Sequence, residues 1–166
     1  MKSQENLMKA FAGESQANRR YLAFAKKAEE EGMKNMARLF RAAADAETVH
    51  ALNHLRTAIE VKTTKENVQA AIEGEKYENR EMYPKFIEEA RKEGETEAEK
   101  SFDWANQVEK IHQTFYEKAL EILNKGKDIE ASEYYVCQTC GNTVEDSPPE
   151  SCPICGMPKD QFKKIE

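Results

Sequence analysis

Apolar residues recur every three or four positions along most of the chain, which is the spacing of one face of an α-helix. Leu7, Phe11, Tyr21 and Phe24 mark this face in the first such stretch. A glycine follows the first, third and fourth stretches and is expected to end each helix. We predict helices over residues 3–31, 34–60, 64–93 and 96–124. Each exceeds about 35 Å at about 1.5 Å per residue, which predicts a mainly α protein built on a four-helix bundle.

Local signals mark where two of these helices begin and where one of them bends. Thr63 with Glu66, and Thr96 with Glu99, have the spacing of capping boxes. Pro84 lies inside the third stretch. Because proline lacks the backbone N–H and crowds the preceding turn, we expect a kink there.

The composition excludes several classes of function. Charged residues make up 34% of the 166 residues and the net charge is −6, without a basic stripe, so we expect no nucleic-acid partner. No segment approaches the roughly 18 apolar residues of a membrane span, and the first residues lack the apolar core of a signal peptide. No G-x-G-x-x-G motif for nucleotide binding is present. We therefore predict a cytoplasmic protein that does not bind membranes.

Charged residues and histidines interrupt the apolar face of all four predicted helices. They are Glu14 on the first helix, Glu47 and His50 on the second, Glu75 and Glu78 on the third, and Glu109 and His112 on the fourth. The two members of each pair are three residues apart, so they project from nearly the same face of a helix. Each pair can therefore bind one ion.

The same unit occurs twice, as a glutamate followed one helix later by Glu-x-x-His. Glu14 precedes Glu47 by 33 residues, and Glu75 precedes Glu109 by 34. A single Glu-x-x-His pair is commonly a surface feature, but several buried carboxylates require cations to offset their charge. One glutamate from each of two helices, with Glu-x-x-His from the other two, is the pattern of di-iron and di-manganese bundles. The duplication therefore predicts a two-metal site, and Tyr21, two turns from Glu14 on the same face, is a candidate hydrogen-bond donor to a ligand.

All four cysteines lie in the last 30 residues, in two Cys-x-x-Cys-Gly segments. The first segment contains Cys137 and Cys140, and the second contains Cys152 and Cys155. This spacing predicts a tetrahedral four-thiolate metal site. Disulfides are the competing use of the cysteines, but no secretion signal accompanies them. By itself such a site suits zinc or iron, and a neighbouring redox site favours iron. We predict a helical domain over residues 1–130 and a small metal domain over residues 131–166.

The GES and GEKYE segments, the paired Glu-x-x-His motifs and the Cys-x-x-Cys tail together resemble the rubrerythrin family. The resemblance implies a ferritin-like four-helix bundle followed by a rubredoxin-like domain. It implies two non-haem irons bound by Glu14, Glu47, His50, Glu75, Glu78, Glu109 and His112, with Glu47 and Glu109 as bridges. It also implies that one iron exchanges Glu78 for His50 when the site is reduced, and that Cys137, Cys140, Cys152 and Cys155 bind a third iron.

The same resemblance implies a peroxidase that reduces hydrogen peroxide to water, with electrons entering through the rubredoxin-like iron from a separate NAD(P)H-linked reductase or a rubredoxin. Two alternatives remain open. The helices could oxidise and store iron as a ferritin does, or the tail could be a structural zinc module of an interaction protein. The electron-transfer tail disfavours the first, and the duplicated ligands disfavour the second.

The link between the second and third predicted helices predicts a helix-swapped homodimer. Only Val61 and Lys62 lie between the predicted end of helix two at Glu60 and the cap at Thr63. In a ferritin-like bundle this link must run the length of the bundle, and so few residues are too short. We expect the first two helices of one chain to pair with the last two of another. A single-chain up-down-up-down bundle is the alternative.

Overall fold

The computed structural model describes all 166 residues, which form two compact units, residues 1–62 and 63–166. The first unit contains α1 (Lys2–Glu30) and α2 (Lys34–Thr57). The second contains α3 (Thr64–Tyr77), a π-helical turn (Glu78–Met82), α4 (Tyr83–Glu93), α5 (Thr96–Leu123), β1 (Tyr134–Cys137), β2 (Thr143–Glu145) and β3 (Phe162–Lys164). The predicted mainly α class, with four long helical segments followed by a small cysteine-bearing region, is confirmed. None of the helices combines the length and the apolar character that crossing a membrane requires.

The first unit is a hairpin of two helices that approach closely through small side chains. Gly32, with a φ of 77°, makes the turn after α1, a conformation that glycine adopts without strain. The residues buried between the helices are mostly alanines, namely Ala25, Ala28, Ala37, Ala44 and Ala51. The side-chain amide of Asn18 donates to the Ala44 carbonyl at 2.6 Å and to Thr48 Oγ1 at 2.8 Å. These contacts hold α1 and α2 in a fixed register.

Large apolar side chains of this hairpin are left exposed in the chain. Their exposed fractions are 41% for Leu22, 48% for Phe24, 61% for Leu39, 52% for Val49 and 41% for Leu52. Alanine-rich packing between α1 and α2 uses only one side of each helix. The remaining apolar surface is of the kind that another protein surface covers.

The predicted end of the second helix was wrong by three residues. We expected it to reach residue 60, but α2 ends at Thr57. Ile59 has a φ of 58°, a conformation that a β-branched residue adopts only at cost and that cannot continue a right-handed helix. The link to α3 therefore comprises residues 58–63 rather than only the two residues expected.

One of the two predicted capping boxes is present and the other is not. Thr63 caps α3, where its hydroxyl accepts from the Glu66 N–H while the Glu66 carboxylate accepts from the Thr63 N–H at 3.2 Å. The box predicted at Thr96 is wrong, because α5 has Glu95 at its N-cap without a side-chain cap. The carboxylate of Glu99 instead accepts from Arg91 Nε at 2.9 Å and Nη2 at 2.7 Å. An ion pair in which two Arg91 nitrogens donate to one Glu99 oxygen thus replaces the cap.

The third predicted helix is interrupted by a π-helical turn just before Pro84. The turn spans Glu78–Met82, and Pro84 lies in the first turn of α4. A proline is tolerated there because the first N–H groups of a helix have no partner within it. A π-turn inserts one extra residue into the helix without breaking it. Where a kink was expected, the structure has a one-residue insertion just before the proline.

The cysteine-bearing region is a three-stranded antiparallel sheet in the order β2-β1-β3. Each Cys-x-x-Cys segment turns back on itself through a backbone hydrogen bond, from Gly141 to Cys137 and from Gly156 to Cys152. Both glycines have positive φ, 83° and 75°, which explains their place after the second cysteine of each pair. The two turns bring all four sulfurs to one point.

Candidate metal centres

The first unit brings three of the predicted ligands together. Glu14 on α1 and Glu47 and His50 on α2 have donor atoms that all lie within 4.8 Å of one another. His50 Nδ1 is 2.9 Å from Glu47 Oε2. The Glu47 side chain is 19% exposed, whereas that of His50 is 55% exposed. In this chain solvent therefore reaches the cluster from the side of His50.

The second unit brings together the matching three residues. Glu75 on α3 and Glu109 and His112 on α5 also have donor atoms within 4.8 Å of one another. His112 Nδ1 lies 2.8 Å from Glu109 Oε2 and 3.9 Å from Glu75 Oε1. Both glutamate side chains are only 17% exposed and His112 is 29% exposed. The two clusters have the same composition, as the duplicated sequence pattern predicts.

Burial and mutual repulsion perturb the carboxylates of this second cluster. Burial, a hydrogen bond with Glu109 and the charge of Glu109 raise the pKa of Glu75 to about 7. Burial also acts to raise the pKa of Glu109, but hydrogen bonds with His112 and Glu75 outweigh it and lower that pKa. The hydrogen bond to Glu109 raises the pKa of His112, against the effect of burial. Hydrogen bonds among Glu75, Glu109 and His112 thus link the three side chains and shift their pKa values.

The same three side chains suit a metal ion. Two carboxylates and an imidazole nitrogen have donor atoms within 4.8 Å of one another, and burial together with the charge of Glu109 raises the pKa of Glu75 to about 7. A divalent cation offsets the same charges and accepts the same lone pairs. The oxygen and nitrogen donors suit iron and its first-row neighbours. The residues present thus fit the predicted metal.

Glu78 lies beside this cluster rather than within it. It is the first residue of the π-turn and is not one of the three residues whose donor atoms converge. Burial, followed by the charge of Glu109, raises the pKa of Glu78. Glu78 is therefore within electrostatic reach of the cluster. Its role as a ligand that exchanges with His50 stays a prediction.

The π-turn also brings a tyrosine, Tyr83, near the cluster. In the first unit Tyr21 follows Glu14 by seven residues and packs against Phe24 and Phe40, with ring centroids 6.3 and 6.4 Å away. The second unit contains the matching trio, in which Tyr83 lies 6.4 Å from both Phe86 and Phe102. Tyr83, however, follows Glu75 by eight residues. The extra residue of the π-turn accounts for this difference.

Tyr83 was not among the residues predicted from the sequence. Burial raises its pKa first, followed by the charges of Glu78, Glu109 and Glu75, so its hydroxyl lies within electrostatic reach of all three carboxylates. The signal that identifies it is the spacing of 34 rather than 33 residues in the second repeat. Allowing for that one-residue insertion aligns Tyr83 with Tyr21, whose own hydrogen bond to a ligand stays a prediction.

A buried amide pair spans the π-turn and α5. Asn79, which is 6% exposed, donates from Nδ2 to Gln113 Oε1 at 3.0 Å. Gln113 directly follows the predicted ligand His112. The contact thus fixes the turn that carries Glu78 against the helix that carries Glu109 and His112.

The four cysteines form a third cluster, and none is in a disulfide. The sulfurs of Cys137 and Cys155 are 3.7 Å apart, and those of Cys140 and Cys152 are 3.6 Å apart. Burial acts to raise the pKa of Cys152, but the backbone N–H groups of Cys155 and Ile154 outweigh it and lower that pKa to about 7. Burial raises the pKa of Cys140 and of Cys155, so amide groups favour the thiolate at Cys152 only. The convergence of four sulfurs suits a tetrahedral thiolate-bound metal.

The fold and the clusters define a helical metalloprotein with two carboxylate–histidine clusters and a tetracysteine domain. The family profile described as Rubrerythrin matches residues 5–120, and the one described as Rubrerythrin, rubredoxin-like domain matches residues 135–163. The chain belongs to the rubrerythrin family. The family and the clusters together confirm the predicted carboxylate–histidine iron site and the rubredoxin-like iron site.

Relatives match over nearly the full chain. Rubrerythrin-2 of Clostridium acetobutylicum is 38% identical, over 95% of this chain and 93% of the relative. Nigerythrin of Nitratidesulfovibrio vulgaris is 35% identical, over 95% and 84% respectively. A structure of nigerythrin in a mixed-valence state matches with a TM-score of 0.58 and 34% identity, covering 98% of this chain and 86% of that one. The fold class predicted from sequence agrees with these similarities, whereas the domain boundary at residue 130 stays a prediction.

Proposed function

We propose that this protein is a non-haem di-iron peroxidase that reduces hydrogen peroxide to water. The observation that carries the proposal is the presence, in one chain, of two matching Glu/Glu/His clusters and a tetrathiolate cluster. Iron held by the two Glu/Glu/His clusters would supply the two electrons that cleavage of the O–O bond requires, and two protons would complete the conversion to two waters. A tetrathiolate iron changes by one electron with little rearrangement, so it suits stepwise delivery of those electrons.

The chain's own residues hold the metals and provide the protons. The ligands in this proposal are Glu14, Glu47, His50, Glu75, Glu78, Glu109 and His112 for the di-iron site and Cys137, Cys140, Cys152 and Cys155 for the third iron. Glu47 and Glu109 would be the carboxylates that can serve both irons. Glu78 and His50 would be alternative ligands of one iron, because a ferric ion favours a charged oxygen donor. The raised pKa of Glu78 supports a further role as a proton donor.

Tyr83 and Tyr21 are proposed to hydrogen-bond the carboxylates. The hydroxyl of Tyr83 stays protonated because burial and three nearby carboxylates raise its pKa, so it can donate. Tyr21 occupies the equivalent place in the first unit, where it packs against Phe24 and Phe40. Hydroxyls in these positions orient the ligands and relay protons.

We also propose that each di-iron site is shared by two chains of a helix-swapped homodimer. Residues 58–63, even fully extended at about 3.3 Å per residue, reach only about 20 Å. The 24-residue α2 is about 36 Å long at about 1.5 Å per residue. The link is therefore too short to return along a ferritin-like bundle. The exposed apolar residues of the α1–α2 hairpin supply the surface that a partner chain would cover.

Refolding two inactive variants together tests this sharing. Chains with Glu47→Ala lose a ligand of the first cluster, and chains with Glu109→Ala lose one of the second. In a swapped heterodimer one of the two sites receives both wild-type clusters, so up to about half of the activity per dimer returns. If heterodimers form but stay inactive, the sites are not shared, and the single-chain bundle is the correct arrangement.

Rapid mixing of the anaerobically reduced protein with hydrogen peroxide or with oxygen tests the reaction. We expect peroxide to reoxidise the di-iron site faster than oxygen, with water as the product and no more than the bound iron retained. Faster reaction with oxygen, followed by uptake of added Fe(II) beyond the ligand sites, would favour the ferritin-like alternative. The donor, either an NAD(P)H-linked reductase or a rubredoxin, and the cytoplasmic location are parts of the same proposal.

A further inference from the structure

A stripe on α5 contacts the tetracysteine domain of the same chain. Val108, His112 and Phe115 are spaced at i, i+4 and i+7, so they share one face of the helix. A methyl group added at Gly141 would lie 3.9 Å from Val108 Cγ1, which shows how closely the first cysteine turn approaches. The rings of Phe115 and Tyr134 meet edge to face, with centroids 6.1 Å apart.

The middle residue of this stripe, the predicted metal ligand His112, makes the polar contact. His112 Nε2 lies 2.9 Å from Thr143 Oγ1, the first residue of β2. Thr143 Oγ1 in turn donates to the Gly141 carbonyl at 3.2 Å. A hydroxyl has a single hydrogen. With the Gly141 carbonyl available to take that hydrogen, the Thr143 oxygen can accept a hydrogen bond from a protonated Nε2 of His112.

This hydrogen-bond direction fixes what the other imidazole nitrogen can do. With Nε2 protonated, a neutral His112 has its lone pair on Nδ1, which faces Glu109 and Glu75 at 2.8 and 3.9 Å. A lone pair facing a carboxylate at that distance requires a proton or a cation between them. The ring is thus oriented so that a metal can bind through Nδ1 when Nε2 carries the proton.

We propose that Thr143 is a positioning residue for the metal site. It holds His112 with Nε2 protonated and Nδ1 directed at the Glu75–Glu109 carboxylates, and it thereby couples the first cysteine turn, through Gly141, to a ligand of the bundle. Ligating histidines are commonly oriented by such a partner, whose loss reduces metal affinity about 10–100-fold. Here the partner belongs to the tetracysteine domain, so docking of that domain shapes the neighbouring metal site.

The inference deepens the proposed function, because it concerns a ligand of the same site, but it does not require peroxide turnover. A zinc-loaded protein, which is diamagnetic and cannot cycle, reports the tautomer directly by ¹⁵N NMR. In the wild-type protein we expect His112 to bind zinc through Nδ1 and to show an Nε2–H signal protected from exchange with water. A wild-type spectrum with zinc on Nε2, or with Nδ1 protonated, would overturn the proposal whatever the protein's activity.

Two substitutions separate positioning from simple packing. Thr143→Val keeps the branched shape but removes the hydroxyl, whereas Thr143→Ser keeps the hydroxyl. A cavity of about 380 Å³ borders both His112 and Thr143, so water can reach Nε2–H once the hydroxyl is lost. We expect exchange of this proton to accelerate about tenfold or more in the valine variant, with weaker zinc binding at the bundle site, and to be near wild type in the serine variant.

Thr114→Val is the matched control, since Thr114 lies exposed on the same helix and its hydroxyl donates to its own Lys110 carbonyl at 2.9 Å. It should leave the His112 signal unchanged. Backbone spectra of β1–β3 show whether the Thr143 variants keep the small sheet. A folded Thr143→Val protein with the wild-type Nε2–H exchange rate and zinc affinity would refute the positioning role.

Discussion

Replacing Glu75 with glutamine should stabilise the metal-free protein while weakening its metal site. The Glu75 side chain is 17% exposed and hydrogen-bonds Glu109. Glutamine has nearly the same shape and can still donate to Glu109, but it carries no charge. The substitution therefore removes the ionisation of Glu75 while preserving the packing around it.

The size of the effect follows from the pKa of Glu75, about 7 in the folded protein against an ordinary value of 4.5. A raised carboxyl pKa means that the folded state holds its proton more tightly than the unfolded state. The associated stability is fully present below the ordinary pKa and is lost as the pH rises through about 7. At about 1.4 kcal/mol per pH unit, the total loss is at most about 3.5 kcal/mol. About 2 kcal/mol of this falls between about pH 5.5 and about pH 8.

Urea denaturation of the metal-free protein at these two pH values measures the effect. The single tryptophan, Trp104, lies on α5, so its fluorescence follows unfolding of the unit that contains Glu75. We compare the free energy of unfolding of Glu75→Gln with that of the wild type at each pH. The advantage of the variant should be larger at the higher pH than at the lower, by up to about 2 kcal/mol. With zinc added the order should reverse, because a neutral amide is the weaker ligand.

Glu73→Gln is the control for this experiment. Glu73 lies on the same helix, but its side chain is 76% exposed, so its substitution should change the stability little at either pH. If Glu75→Gln and the wild type lose stability in parallel as the pH rises, burial of an ionised Glu75 does not destabilise the metal-free protein, and the reasoning fails.

Three further predictions concern the exchanging carboxylate, electron entry and a helix cap. Glu78→Ala should retain iron but lose peroxide turnover about tenfold or more, whereas Glu81→Ala, at an exposed position of the same π-turn, should not; equal steady-state rates would exclude Glu78 from the reaction. Replacing Cys140 and Cys155 together with serine should abolish reduction by an external donor protein while a chemically reduced bundle still consumes one peroxide per site; continued turnover would mean that electrons bypass the tail. Thr63→Ala removes the capping box of α3 and should lower the free energy of unfolding by about 1 kcal/mol; an unchanged urea midpoint would contradict this.

Much of the metal chemistry could be predicted from the sequence, because it depends on local spacing. Residues three apart on a helix share a face wherever that helix lies, so Glu109 and His112 could be paired without knowing what packs against them. The Cys-x-x-Cys-Gly turns are equally local, since each hydrogen bond closes within five residues. Duplication of the pattern then indicated that two such clusters belong to one kind of site.

The sequence was less reliable where two local interactions compete for the same group. Glu99 has the spacing of a cap but pairs with Arg91 of the preceding helix, because two charge-assisted hydrogen bonds to one of its oxygens take the place of a single cap hydrogen bond. Helix α2 ends at Thr57 without a glycine or proline, because the backbone turns at Ile59 instead. Neither outcome follows from residue type alone.

Tertiary structure alone decided how the second cluster is surrounded. The spacing of 34 residues between Glu75 and Glu109 indicated that the second repeat has one extra residue. Only the structure shows that this residue lies in the π-turn, which packs against α5 through Asn79 and Gln113. The contact between His112 and Thr143 joins residues 31 apart in the chain. Such contacts depend on how separate elements dock, and no periodicity within either element encodes them. Local spacing thus determined which groups can bind metal, and docking determined their surroundings and orientation.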